Sequence, residues 1–111
     1  MMTITVNEQK EGLTLVTIQD EMTIYNVLEQ KNTVYPHLKP DHELQIDLSE
    51  VSEIDSAGMQ LLIFLKNEAI RNQNELSFIH HSQAVVEVVE IFNLSSFFND
   101  PIVILTDWND S

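Results

Sequence analysis

Apolar residues along the chain fall into short alternating stretches interleaved with longer runs at helical spacing. Ile4 and Val6, then Leu13, Val16 and Ile18, mark two strand-like segments separated by the polar residues 7–12. They predict a hairpin turning at Gly12, because glycine adopts turn conformations that other residues resist. Ile24, Val27, Leu28, Val34 and Leu38 recur at helical spacing. A helix over about 23–35 is expected, capped by the Thr23 hydroxyl and ended by Pro36 and Pro40. Residues 43–48, Glu-Leu-Gln-Ile-Asp-Leu, alternate polar and apolar and predict a half-buried strand. A polar connection over 49–53 follows, with Ile54 turned back to the core. The run from Met59 to Leu65, apolar except at Gln60, opens a helix over about 57–72. Ala69 and Ile70 continue it at the right spacing. Residues 75–79 read as another strand, introduced by Asn72, Gln73 and Asn74. Ser82 is placed to cap a helix over 83–92, ended by Asn93. The β-branched Val85, Val86, Val88 and Val89 weigh against that helix, and the shared face of Glu87 and Glu90 weighs for it. Residues 101–105 form a last short strand, and 106–111 a frayed tail.

The order strand, strand, helix, strand, helix, strand, helix, strand belongs to the α/β class. Its alternating later part calls for parallel pairing with right-handed crossovers, hence a mixed sheet with helices packed against it. A length of 111 residues suits one domain spanning 1–111, and no internal repeat or linker interrupts it.

Charge narrows the function classes. Eighteen acids against five bases give a net charge of −13, a surface that repels polyphosphate backbones and anionic membranes. A basic protein partner is one consequence of such a surface; solubility is the simpler one. The chain has no cysteine, which removes thiol chemistry and thiolate metal sites. No apolar run reaches the roughly 18 residues of a membrane span, and the first residues lack the features of a signal peptide. A cytoplasmic protein without direct membrane insertion is therefore expected.

Candidate chemistry concentrates at Asp55-Ser56-Ala57-Gly58, where a strand-like run meets a helix start. Free amides and the helix dipole there favour an anion, and phosphoserine adds about −1.5 to −2 charges. Gly58 leaves room for close approach to the backbone. Asp55 adds a like charge next door, suited to holding a hydroxyl or positioning Ser56. The plainer account is a capping Asp-Ser pair, worth about 1 kcal/mol; on spacing alone it outweighs a phosphate site.

The stretch Asp55-Ser56-Ala57-Gly58-Met59, after the strand at 44–48 and before a long apolar helix, resembles the signature of STAS domains. These include the bacterial anti-sigma factor antagonists, with the pattern Asp-Ser-(Ser/Thr/Ala)-Gly-(Leu/Met). The resemblance runs from about Ile4 to Leu105 and takes in Glu21-Met22-Thr23 and residues 82–94. It implies the STAS fold and a regulatory binding module rather than an enzyme. It further implies that Ser56 is phosphorylated by a Ser/Thr kinase of the anti-sigma type. The unmodified protein would bind that partner and the phosphorylated one would be released; a phosphatase would reset it. Asp55, Ala57, Gly58, Met59, Thr23 and Glu21 would form the partner-binding rim. Ala57 replaces a hydroxyl residue often seen there, leaving Ser56 the sole acceptor of the loop. Thr23 stands where many antagonists carry an aspartate, and the usual final helix is expected to be missing or cut to residues 107–110. Residues 21–25 with Phe97 and Phe98 resemble stand-alone STAS proteins linked to chemotaxis or two-component signalling, with regulation of transcription as another output. Related domains are instead subunits of lipid-transporting ABC systems that hold the ATPase subunit; there Ser56 would only cap a helix.

Other groups carry less. His80 and His81, adjacent on a strand, would point to opposite faces and chelate no common metal. Asp55 with Glu53 passes for a carboxylate pair, but no third group completes an enzyme site. With two glycines in the chain there is no phosphate-cradling loop, and no cofactor is expected. Leu61, Leu62, Phe64 and Leu65 read as core, with Gln60 or Ile63 available to a partner. The apolar helix is compatible with a monomer or a dimer, and Trp108 with either docking or a local clasp.

Overall fold

The computed structural model describes residues 4–91. In chain order they form β1 (Ile4–Lys10), β2 (Leu13–Met22), α1 (Val27–Val34), a 3-10 turn (Tyr35–His37), β3 (Glu43–Ile54), α2 (Ser56–Arg71), β4 (Glu75–Ile79) and α3 (Gln83–Ile91). The expected strand at 101–105, the tail at 106–111, and the positions of Asn93, Phe97, Phe98 and Trp108 lie outside the described residues.

The sheet runs β1-β2-β3-β4. β1 and β2 are antiparallel, with Ile4 opposite Ile18 and Val6 opposite Val16. Their turn places Gly12 at φ +81°, a left-handed conformation that glycine takes without a Cβ penalty. β2 and β3 are parallel, as are β3 and β4. Val16, Ile46 and Phe78 therefore sit in one row, and all three are buried. The mixed sheet with helices is the expected α/β architecture. α2 lays Leu62, Leu65 and Ala69 into the same core, and Val85 and Val89 of α3 join it.

Three boundaries differ from expectation. Residues 49–53 are not a loop: β3 continues through them, pairing Asp20 with Val51 and Met22 with Ile54. Register irregularities between Thr17 and Gln19 and between Asp20 and Glu21 break the polar–apolar alternation there. Backbone pairing needs no apolar side chain, which is why periodicity misses this extension. α1 starts at Val27 rather than at residue 23, because Thr23–Asn26 form a turn: the amides of Asn26 and Val27 both donate to the Thr23 carbonyl, at 2.9 and 3.0 Å. Thr23 thus serves by its backbone and is not the side-chain cap. α2 begins one residue early, at Ser56. The valine-rich segment after Ser82 is helical, and the Ser82 hydroxyl accepts from the Val85 amide at 3.3 Å.

Against the outer side of α2, Tyr35 stacks on Phe64 with ring centres 6.1 Å apart, and the Lys31 ammonium lies 5.1 Å from the Phe64 ring. Beneath it, the buried Lys66 donates to the Leu76 carbonyl at 2.6 Å and faces the Phe78 ring. Burial pulls the Lys66 ammonium below its ordinary pKa. No helix among the described residues is long and apolar enough to cross a membrane.

Candidate functional site

At the ends of β2 and β3 the chain makes two turns that are tied to each other. The β3–α2 turn is organised by Asp55. Its extended backbone, at φ −108° and ψ −171°, sits just outside the helix, and its side chain accepts from the Gly58 amide at 3.0 Å. Asp55, not Ser56, is therefore the N-cap. The other carboxylate oxygen of Asp55 accepts from the Ile24 amide at 3.0 Å, and the Asp55 amide donates to the Met22 carbonyl at 3.2 Å. One aspartate thus closes the start of α2 and clamps it to the β2–α1 turn.

The electrostatics follow from those contacts. Partial burial pulls the Asp55 carboxyl upward, but hydrogen bonds from the Gly58, Ile24 and Ala57 amides outweigh it and hold the group below its ordinary range. A carboxylate so engaged is a poor general base. It also already occupies the anion-favouring amides of the helix start.

Ser56 is left free by this arrangement. It is the first residue of α2, it is exposed, and among the described residues no group holds its hydroxyl. Ala57 is half-buried. Gly58 and Met59 are buried, so neither faces a partner as expected. Gly58 is needed from within: a Cβ there would collide with the Met22 carbonyl and stand 2.8 Å from Ile54 Cγ1. Its missing side chain admits the end of β2, not a ligand.

The rim needs a second correction. Thr23 is only 4% exposed, its hydroxyl 3.5 Å from the Glu21 carboxylate. Glu21 is exposed. The outward residues of the turn are Ile24, Tyr25 and, one helical turn on, Leu28, exposed by 67, 89 and 66%. The sequence placed Ile24 and Leu28 among apolar residues at helical spacing and gave Tyr25 no separate role. The available signal was Gln30: α1 turns this polar residue inward, where its amide donates to the Glu21 carbonyl at 2.9 Å, and the apolar Leu28 outward.

A family model described as "Mlab, STAS domain" matches residues 5–105. The chain belongs to the STAS family. Solved structures agree on the fold. An anti-sigma factor antagonist from Mycobacterium paratuberculosis superposes with a TM-score of 0.72 at 19% identity, over 86% of this chain and 82% of that one. One described as a putative anti-sigma factor antagonist from Thermotoga maritima gives 0.71 at 16% identity, over 84% and 80%. The anti-sigma factor antagonist SpoIIAA in its unphosphorylated form gives 0.68 at 12% identity, over 84% and 83%. At such identities these likenesses establish the STAS fold and leave the chemistry to this chain's own residues. No curated protein matches the chain.

Of the remaining candidates of this STAS domain, Gln60 lies one helical turn beyond Ser56 on α2, and the others lie in the core or at the end of β4. Ile63 is buried, and only Gln60 of the pair considered for a partner is exposed. His80 lies beyond the end of β4, at φ +54°, rather than on a strand, and its Nδ1 is 3.2 Å from the Asp47 carboxylate. Burial pulls the Asp47 carboxyl upward, but the Ser49 amide and His80 bring it below its ordinary value. Among the described residues no group of three or more His, Asp or Glu is placed to hold a metal ion.

Proposed function

We propose that this STAS domain is a non-enzymatic, phosphorylation-switched binding module of the anti-sigma factor antagonist type, acting in the cytoplasm. A Ser/Thr kinase of the anti-sigma kind is its partner. The unmodified protein docks through the face that carries Ser56, and phosphorylation of Ser56 ends the docking. One observation carries this reading: Ser56 is exposed at the first position of α2 while Asp55 does the capping. A serine retained only to cap the helix would have its hydroxyl on an amide, and here the aspartate holds that place.

Because Asp55 already fills the helix start, a phosphate on Ser56 would not fold back onto those amides. It would project outward beside Asp55. Docking would then require about two further negative charges to be desolvated or matched. Likewise, the engaged Asp55 is unsuited to deprotonate Ser56, so the base and the cations for phosphoryl transfer come from the kinase. The experiment is incubation with that kinase and ATP, followed by location of the phosphate by mass spectrometry. Transfer to Ser56, abolished in Ser56→Ala, is expected; transfer elsewhere or not at all would remove the switch.

A second reading keeps the docking face and drops the switch: a constitutive subunit that holds the ATPase of a lipid-transporting ABC system. The exposed Ile24, Tyr25 and Leu28 favour it equally, since a permanent partner would also cover them. Ser56→Asp separates the two: binding weakens in the switched module and persists in a constitutive subunit.

A further inference from the structure

We propose that Tyr25 is the recognition anchor of the docking face, seated in an apolar pocket of the partner that lysine or arginine side chains border. This rests on the docking reading above and names the chemistry of the surface that would meet it. Scattered exposed apolar residues are ordinary. Here three of the six exposed large hydrophobics among the described residues share one turn and its following helix.

The turn is also held rigid from several directions. The Asn26 and Val27 amides close it onto the Thr23 carbonyl, and the Ile24 amide is fixed by Asp55. The Asn26 and Gln30 side chains both donate to the Glu21 carbonyl, at 3.0 and 2.9 Å. Tyr25 therefore stands on a preorganised apex, and ordering it on docking forfeits only the freedom of two side-chain torsions. A large, amphipathic, rigidly displayed ring is the kind of residue that dominates binding energy.

Charge selects the pocket's border. Glu21 and Glu29 flank the exposed apolar residues along the chain, and Asp55 clamps the Ile24 amide. No lysine or arginine lies between residues 11 and 30 or between 40 and 65. A second copy of this chain, at −13, would bring like charges together on this face.

The test places a photo-crosslinking amino acid at position 25 in the cells that make the protein. The crosslinked protein is then identified, purified and titrated against the wild type, Tyr25→Ala, Tyr25→Phe and Ser56→Asp. At 89% exposure Tyr25 supports no core, so equal thermal midpoints for the Tyr25 variants and the wild type are expected. Tyr25→Ala should weaken binding by about 30-fold or more, and Tyr25→Phe by less than about fivefold. No crosslink, a crosslink only to a second copy, or a loss below about fivefold for Tyr25→Ala would overturn the proposal. Loss in Tyr25→Ala with none in Ser56→Asp would keep the anchor and sink the switch, and the reverse pattern would sink the anchor.

Discussion

Asp55 and Ser56 stand side by side and divide two tasks between them. Asp55 accepts from Gly58 and Ile24 and joins two turns, whereas no group among the described residues holds the Ser56 hydroxyl. Ser56→Ala is therefore expected to change stability by no more than about 0.5 kcal/mol. Asp55→Ala, which removes the cap, should cost about 1–2 kcal/mol in urea unfolding. Equal losses would mean that the two residues share the cap. Acid offers a second check. A carboxyl whose pKa is lower in the folded state stabilises the fold above its unfolded pKa, and that contribution disappears as pH falls through the folded value. The stability gap between wild type and Asp55→Asn should be widest near neutral pH and should close well below about pH 4. Asp47 shifts in the same direction, but it is present in both proteins and cancels. A gap that stays constant down to acid pH would contradict the clamp.

At the scale of elements, the docking face depends on how closely α2 approaches the end of β2. Gly58 sets that distance, because a methyl group at its Cα would enter the Met22 carbonyl. Gly58→Ala should destabilise by about 3 kcal/mol, and it should disturb amide exchange at Ile24 as well as in α2. A neutral result would mean that the end of β2 yields to the methyl group and that Gly58 does not set the distance. The motif made this glycine visible in sequence, but its reason was hidden, since the colliding carbonyl belongs to residue 22 and only the parallel pairing of β2 with β3 brings it near. The order of strands and helices was legible because strong two-residue and helical periodicities carry it, as in Leu44, Ile46 and Leu48. The β3 extension was not, because pairing of Asp20 with Val51 and of Glu21 with Glu53 leaves no hydrophobic trace. Nor was the exposure of Leu28: α1 buries Val34 and packs Val27 on the core as its spacing suggests, but places Gln30 rather than Leu28 between them on the inner face.

For the whole molecule, the proposed docking assigns the acidic surface and the apolar turn to different stages. Long-range charge governs encounter, while the buried ring and its neighbours govern persistence. Raising the salt concentration should slow association with the partner far more than it alters dissociation; the opposite pattern would mean that the −13 charge serves solubility alone. In the proposed switch, a phosphate on Ser56 would join the two stages by setting new charge beside the clamp that holds the Ile24 amide. The central claim is that this charge ends docking, and it is tested most directly by titrating the partner kinase against Ser56-phosphorylated and unmodified protein. Affinity should fall at least tenfold, about 1.4 kcal/mol, with phosphate on Ser56. Equal affinities would contradict the switch and leave a constitutive docking module.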